Sequence, residues 1–124
     1  MKPCDRALDE GDCCWTLGKG RKAKKFWVDS SEKGIRVRTG PQGKTCLCLE
    51  HLKINECIEH FRKRDWFPLG NKIDEVKENG LGEYFLENLK KSPKFASHFA
   101  AVLVKQRRFI CRYGEHNRIE LKVV

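Results

Sequence analysis

Lys25-Phe26-Trp27-Val28-Asp29, Ile35-Arg36-Val37-Arg38-Thr39 and Thr45-Cys46-Leu47-Cys48-Leu49-Glu50 are the stretches whose reading decides the fold. Successive side chains of an extended chain point to opposite faces. Ile35 and Val37 therefore share one face and Arg36 and Arg38 the other; in the third stretch Leu47 and Leu49 fall together. Ser30-Ser31-Glu32-Lys33-Gly34 and Gly40-Pro41-Gln42-Gly43 supply the turns between them. The pattern predicts a three-stranded antiparallel meander with an apolar inner face and a basic outer face.

Downstream, the apolar period lengthens. Ile54, Cys57, Ile58 and Phe61 recur at i, i+3, i+4 and i+7, which predicts a helix from about Leu52 to Arg64. Glu56–His60 and Glu59–Lys63 are expected as i,i+4 pairs on its wet side. Trp66-Phe67-Pro68-Leu69-Gly70-Asn71 breaks the helix, with its aromatic pair expected to cap the core, and residues 72–80 read as a polar loop. A second helix is expected over Gly82 to Lys91, burying Leu81, Phe85 and Leu89. Ser92-Pro93 reads as an N-cap followed by proline in the first turn of a third helix. That helix should run to about Gln106 and bury Phe95, Phe99, Val102 and Leu103 beside Ala96 and Ala100. A hairpin closes the chain: Phe109, Cys111 and Tyr113 alternate with Arg108, Ile110 and Arg112, and Ile119, Leu121 and Val123 with Arg118, Glu120 and Lys122, around Gly114-Glu115-His116-Asn117. The expectation is one α+β domain over residues 1–124: an N-terminal three-stranded antiparallel meander, three helices and a C-terminal β-hairpin. Residues 1–18 read as a loose arm or short strand anchored by Trp15 and Leu17.

With 124 residues the chain can bury one core but not two. Charged residues make up 35% of it, above the roughly 25% of an ordinary soluble domain. The longest apolar run, Phe99 to Val104, falls far short of the roughly 20 residues of a membrane span. No apolar segment follows Met1-Lys2, so the reading expects no signal peptide and a cytoplasmic protein. The net charge is +9, and it comes in blocks. Residues 1–18 are net −2, 19–44 net +7, 45–89 net −3 and 90–124 net +7. If the two basic blocks share one side, that side attracts polyanions.

The seven cysteines, an odd number, are expected to be free thiols in a reducing compartment. Cys46, Cys48, His51, Cys57 and His60 are all zinc-ligand types, but their spacing C-x-C-x2-H-x5-C-x2-H departs from the pairs that bite one ion from a tight turn. Packed thiols are the plainer reading, zinc the alternative, and neither metal nor cofactor is expected.

From Leu81 to Val124, helix, short turn, helix and basic hairpin resemble the order of elements in winged-helix domains. That resemblance implies a second helix in the major groove and a wing on the backbone or minor groove. Carried over, Lys94, Ser97, His98, Ala101 and Lys105 would face outward on the helix, and Arg108, Arg112, His116 and Arg118 would lie on the wing. No Arg, Asn or Gln faces out in the first two turns of that helix, so contact with phosphates rather than bases is implied. A mixed domain whose hairpin joins the first sheet explains the same order. The stretch Trp15 to Thr39 resembles small sheet modules that precede nuclease or helicase domains in restriction systems.

No catalytic set stands out. Glu120-Leu121-Lys122 supplies half of a PD-(D/E)xK nuclease, but no carboxylate lies between Glu87 and Glu115 to supply the rest. His98 and His116 are the candidate acid and base of a metal-free ribonuclease. The favoured expectation is a small, non-enzymatic nucleic-acid-binding protein. Lys22, Lys24, Lys25, Arg36, Arg38, Lys94, His98, Lys105, Arg108, Arg112, His116 and Arg118 would meet the polyanion, and Trp27 or Tyr113 would stack on unpaired bases. The alternatives are a protein-interaction module or homodimer using Trp66-Phe67-Pro68-Leu69 as its patch, and a restriction-associated or metal-free nuclease component.

Overall fold

The β-branched and aromatic residues of the opening stretches pair as their alternation requires. In the computed structural model, which describes residues 12–15, 17, 25–40, 45–70, 78–114 and 118–124, the meander is β2 (Lys25–Ser30), β3 (Gly34–Thr39) and β4 (Thr45–Glu50). Val28 lies opposite Val37, and Val37 opposite Leu47, so one apolar row crosses the sheet. Phe26, Ile35, Val37, Leu47 and Leu49 are all buried. A further strand, β1 (Asp12–Trp15), pairs antiparallel with β2, Trp15 opposite Lys25. The first sheet therefore has four strands in the order β1-β2-β3-β4.

Helix α1 (His51–Arg62) follows β4 directly, and its four expected core residues Ile54, Cys57, Ile58 and Phe61 are its buried residues. The ion pairs of its wet side are i,i+3, Lys53–Glu56 at 3.9 Å and Glu59–Arg62 at 2.9 Å, in place of the expected i,i+4 pairs. The helix ends at Arg62, ahead of the proline, with Lys63 as its C-cap, and Phe67–Pro68 becomes a two-residue strand, β5. Its backbone pairs with the hairpin, Phe67 opposite Leu121, and the Leu69 N–H donates to the Ile119 carbonyl at 3.0 Å.

Helix α2 (Leu81–Glu87) is shorter than its expected span, and α3 runs from Lys94 to Lys105. Pro93 has helical backbone angles, and the Ser92 hydroxyl accepts the Lys94 N–H at 3.3 Å. Serine is thus the working cap, with proline in the first turn. β6 (Phe109–Tyr113) and β7 (Ile119–Val123) form the hairpin. It does not join the first sheet: with β5 it makes a second sheet, in the order β5-β7-β6.

One core joins these layers. Phe61 stacks on Phe67 at 4.1 Å and Phe67 meets Phe109 edge-on at 5.6 Å, tying α1 to the second sheet. Phe85 and Phe99, 5.7 Å apart, join α2 to α3. Where β4, α1, α2 and α3 meet, a void of only about 10 Å³ is left, at the lower limit for one water. The core is therefore packing and not a ligand cavity.

Candidate nucleic-acid interface

The basic outer face expected of the first sheet is not solvated. Arg36 and Arg38 sit on β3, an interior strand, and are only 8% and 7% exposed. The register sets Asp29 of β2 opposite Arg36. Its carboxylate takes the guanidinium in fork geometry, Arg36 Nε donating at 2.9 Å and Nη2 at 3.1 Å. Arg38, opposite Trp27 and Cys46, is also partnered. Strand parity assigned these arginines to the correct face. It carried no information on what covers that face.

The outward face expected of α3 is covered as well. Ala101 is buried, and the His98 ring meets core residue Phe26 edge-on at 5.1 Å. His98 Nδ1 lies 3.1 Å from the Lys94 carbonyl, so it carries the proton there. Burial lowers the His98 pKa, and the bond to Lys94 opposes that shift only in part. Ser97 returns its hydroxyl to the same carbonyl at 2.9 Å. Lys94 and Lys105 remain exposed at the two ends of the helix, the latter with a partner. A groove-reading face along the middle of α3 is thus occupied by packing.

The hairpin keeps its charges at the surface. Arg112 lies 4.2 Å over the Trp66 ring while its Nε donates to Glu120 at 2.9 Å. Arg108 donates to the Asn55 side-chain oxygen at 2.5 Å, and Arg118 is exposed. Tyr113, 40% exposed, donates its hydroxyl to the Leu17 carbonyl at 2.7 Å. This bond fastens the hairpin to the chain just beyond β1. Lys25, exposed and 5.5 Å over the Trp27 ring, begins β2 beside Trp15 of β1. The two ends of the segment between Leu17 and Lys25 are therefore fixed, one of them against the hairpin. Lys22, Lys24 and His116 lie outside the described residues.

The patch expected for a protein partner is mostly interior. Phe67 and Leu69 are buried, and half-buried Trp66 lies under Arg112.

The cysteine expectation needs correction too: Cys46 is disulfide-bonded, while Cys48, Cys57 and Cys111 are free. Burial pushes the Cys57 thiol up to about 12, which makes it an inert apolar group. His51 points to the Ser31 carbonyl, 2.7 Å from Nε2. Among the described residues no three potential ligands gather around one point, so Cys46, Cys48, His51, Cys57 and His60 do not form a cluster.

A feature the sequence did not announce lies between the end of α1 and the start of α2. His60, Phe61, Arg64, Asn79, Glu83, Tyr84 and their neighbours line a cleft of about 120 Å³. The His60 and Tyr84 rings are 4.9 Å apart and tilted by 45°. Burial lowers the His60 pKa, helped by the Arg64 charge, and burial raises the Tyr84 pKa. The available signal was slight: His60 and Arg64 are one helical turn apart, but Glu83 and Tyr84 reach them only through the fold.

No protein-family model matches the chain, and neither a curated protein nor a solved structure matches it.

Proposed function

We propose that this protein binds nucleic acid, chiefly through phosphates, on the side where the C-terminal hairpin meets the start of the first sheet. The observation that carries this reading is the 2.7 Å bond from Tyr113 to the Leu17 carbonyl. It brings a stretch of the second basic block, with Arg112 and Arg118, to the edge of the first basic block, which opens at Lys19. Converging cations over a mixed surface give affinity that depends on counterion release more than on sequence. Exposed Tyr113 offers a stacking face to an unpaired base. Phosphate contact falls to Lys25, Arg112 and Arg118, with Lys22 and Lys24 as further candidates. Arg36, Arg38 and His98 take no part, because they are held in packing.

Fluorescence anisotropy with labelled single strands and duplexes tests this. Affinity should fall steeply between about 50 and 200 mM salt, and Lys25→Ala with Arg118→Ala should flatten that dependence. An absence of binding to either nucleic acid at low salt would falsify the reading.

A further inference from the structure

The cleft between α1 and α2 is built around the main chain of one residue. Asn79 has φ +62°, a left-handed conformation that asparagine tolerates better than most residues. Its N–H donates to Glu83 Oε1 at 3.3 Å, and its carbonyl accepts from Arg64 Nη1 at 3.4 Å. The main chain of one residue thus holds both a carboxylate and a guanidinium at the same opening. Among the described residues neither charge has an ion-pair partner. Each keeps hydrogen-bonding capacity for something else: Glu83 its second oxygen, Arg64 its remaining donors.

We infer that this cleft takes a single guanine base, edge first, between Arg64 and Glu83. Three observations select that ligand. The two charges balance, which suits a neutral group; a phosphate would face the Glu83 carboxylate. One wall carries an exposed ring, His60, backed at 4.9 Å by the nearly buried Tyr84, and unpaired bases stack on such side chains. The volume, about 120 Å³, is near the roughly 150 Å³ that admits a benzene ring. One six-membered ring enters and the rest of the base stays at the mouth.

Guanine alone among the four bases offers two adjacent N–H donors, N1 and N2, to a carboxylate. It also carries acceptors O6 and N7 that match an arginine fork. Glu83 takes the donor edge and Arg64 the acceptor edge.

The cleft is joined to the proposed interface by backbone bonds. Gly82 N–H donates to the Leu69 carbonyl at 2.8 Å, and Leu69 N–H to the Ile119 carbonyl at 3.0 Å, next to Arg118. Delivery of the base by a single strand rests on the nucleic-acid reading; guanine recognition by the cleft does not.

The test has two arms, each run on the whole chain by calorimetry. The first titrates guanosine, adenosine, cytidine and uridine monophosphates. The second titrates short single strands with or without guanosine at low salt. Guanosine monophosphate should bind about tenfold or more tightly than the other three, and guanosine-containing strands should bind more tightly than guanosine-free ones. Glu83→Gln keeps an acceptor for Asn79 N–H, so its melting temperature should match the parent. It should erase both preferences and leave the affinity for guanosine-free strands intact. Tyr84→Phe should retain the preference, separating loss of edge recognition from loss of the wall. Equal affinity for all four monophosphates, or a preference that survives Glu83→Gln, overturns the guanine site. Strands that bind without any guanine preference overturn it while the nucleic-acid reading stands. A guanosine monophosphate preference without strand binding keeps the site and overturns the strand as its source.

Discussion

β3 sets Arg36 and Arg38, and β6 sets Arg112, on the face opposite its core residues, yet these arginines end in opposite environments. In β3, Ile35 and Val37 face the core and Arg36 and Arg38 are buried behind them. In β6, Phe109 faces the core and Arg112 stays at the surface over Trp66. The difference is position in the sheet. β3 has a hydrogen-bonded neighbour on each side, so its arginines lie among the side chains of two adjoining strands; β6 is an edge. Alternation thus reports which face a residue takes, and strand order decides whether that face meets water.

Four measurements sharpen or break this contrast. The largest effect should come from Asp29→Ala, which removes the carboxylate that takes the Arg36 guanidinium in a site where both partners are nearly covered, 10% and 13% exposed. Denaturant unfolding should show a loss of about 3–5 kcal/mol. A loss below about 1 kcal/mol, the scale of a surface pair, would mean that Arg36 is solvated in solution. Replacing the whole pair, as Asp29→Leu with Arg36→Met, should come close to neutral.

Next in size is the binding contrast. Arg112→Ala with Arg118→Ala should lower the slope of log affinity against log salt by about 1.4 for single strands, roughly 0.7 per lost phosphate contact. The Asp29/Arg36 apolar swap should leave that slope unchanged. A reversed outcome would return the interface to the first sheet.

Smaller still, Glu120→Ala removes the carboxylate beside Arg112, a pair that is 49% and 30% exposed. The cost should stay within about 1 kcal/mol, because solvent screens the pair. The smallest effect is a pH dependence. Burial lowers the folded-state pKa of His98, so the unfolded chain takes up the proton first as pH falls. The stabilisation is full above the ordinary histidine value of about 6.5 and is lost as pH drops through the lower folded value. His60 is shifted in the same direction. His98→Phe should therefore flatten the acid side of the stability profile without abolishing its decline. An unchanged profile would show that the ring is not held against Phe26.

Elements with a sustained period were legible in the sequence. All four core residues of α1 sit where the 3.6-residue stripe put them, and in β7 Leu121 is buried with Ile119 and Val123 half-buried against the core, although Glu120 and Lys122 are half-buried too. β5 was not legible, because two residues carry no period; its existence depends on β7 offering a free edge. The Cys46 disulfide was hidden for a similar reason, since pairing is set by distance in space and not by counting thiols. The cleft lay deepest. His60 lies in the last turn of α1 with Arg64 just beyond the helix, Glu83 and Tyr84 belong to α2, and the polar residues between them read only as loop. Charge blocks gave the polyanion expectation in outline. They did not tell which cations would be covered.

A final consequence follows from the tight approach of α2 to the chain after β5. A Cβ on Gly82 would run into the Gly70 carbonyl oxygen, and Gly70 itself is left-handed at φ +57°. The frame of the cleft is therefore main chain resting on main chain. Arg64 and Glu83 are tied to that frame through the Asn79 main chain, whereas the His60 ring only hangs on it. Position 60 can therefore be varied while the scaffold stays put; a change at position 82 would shift the whole frame at once.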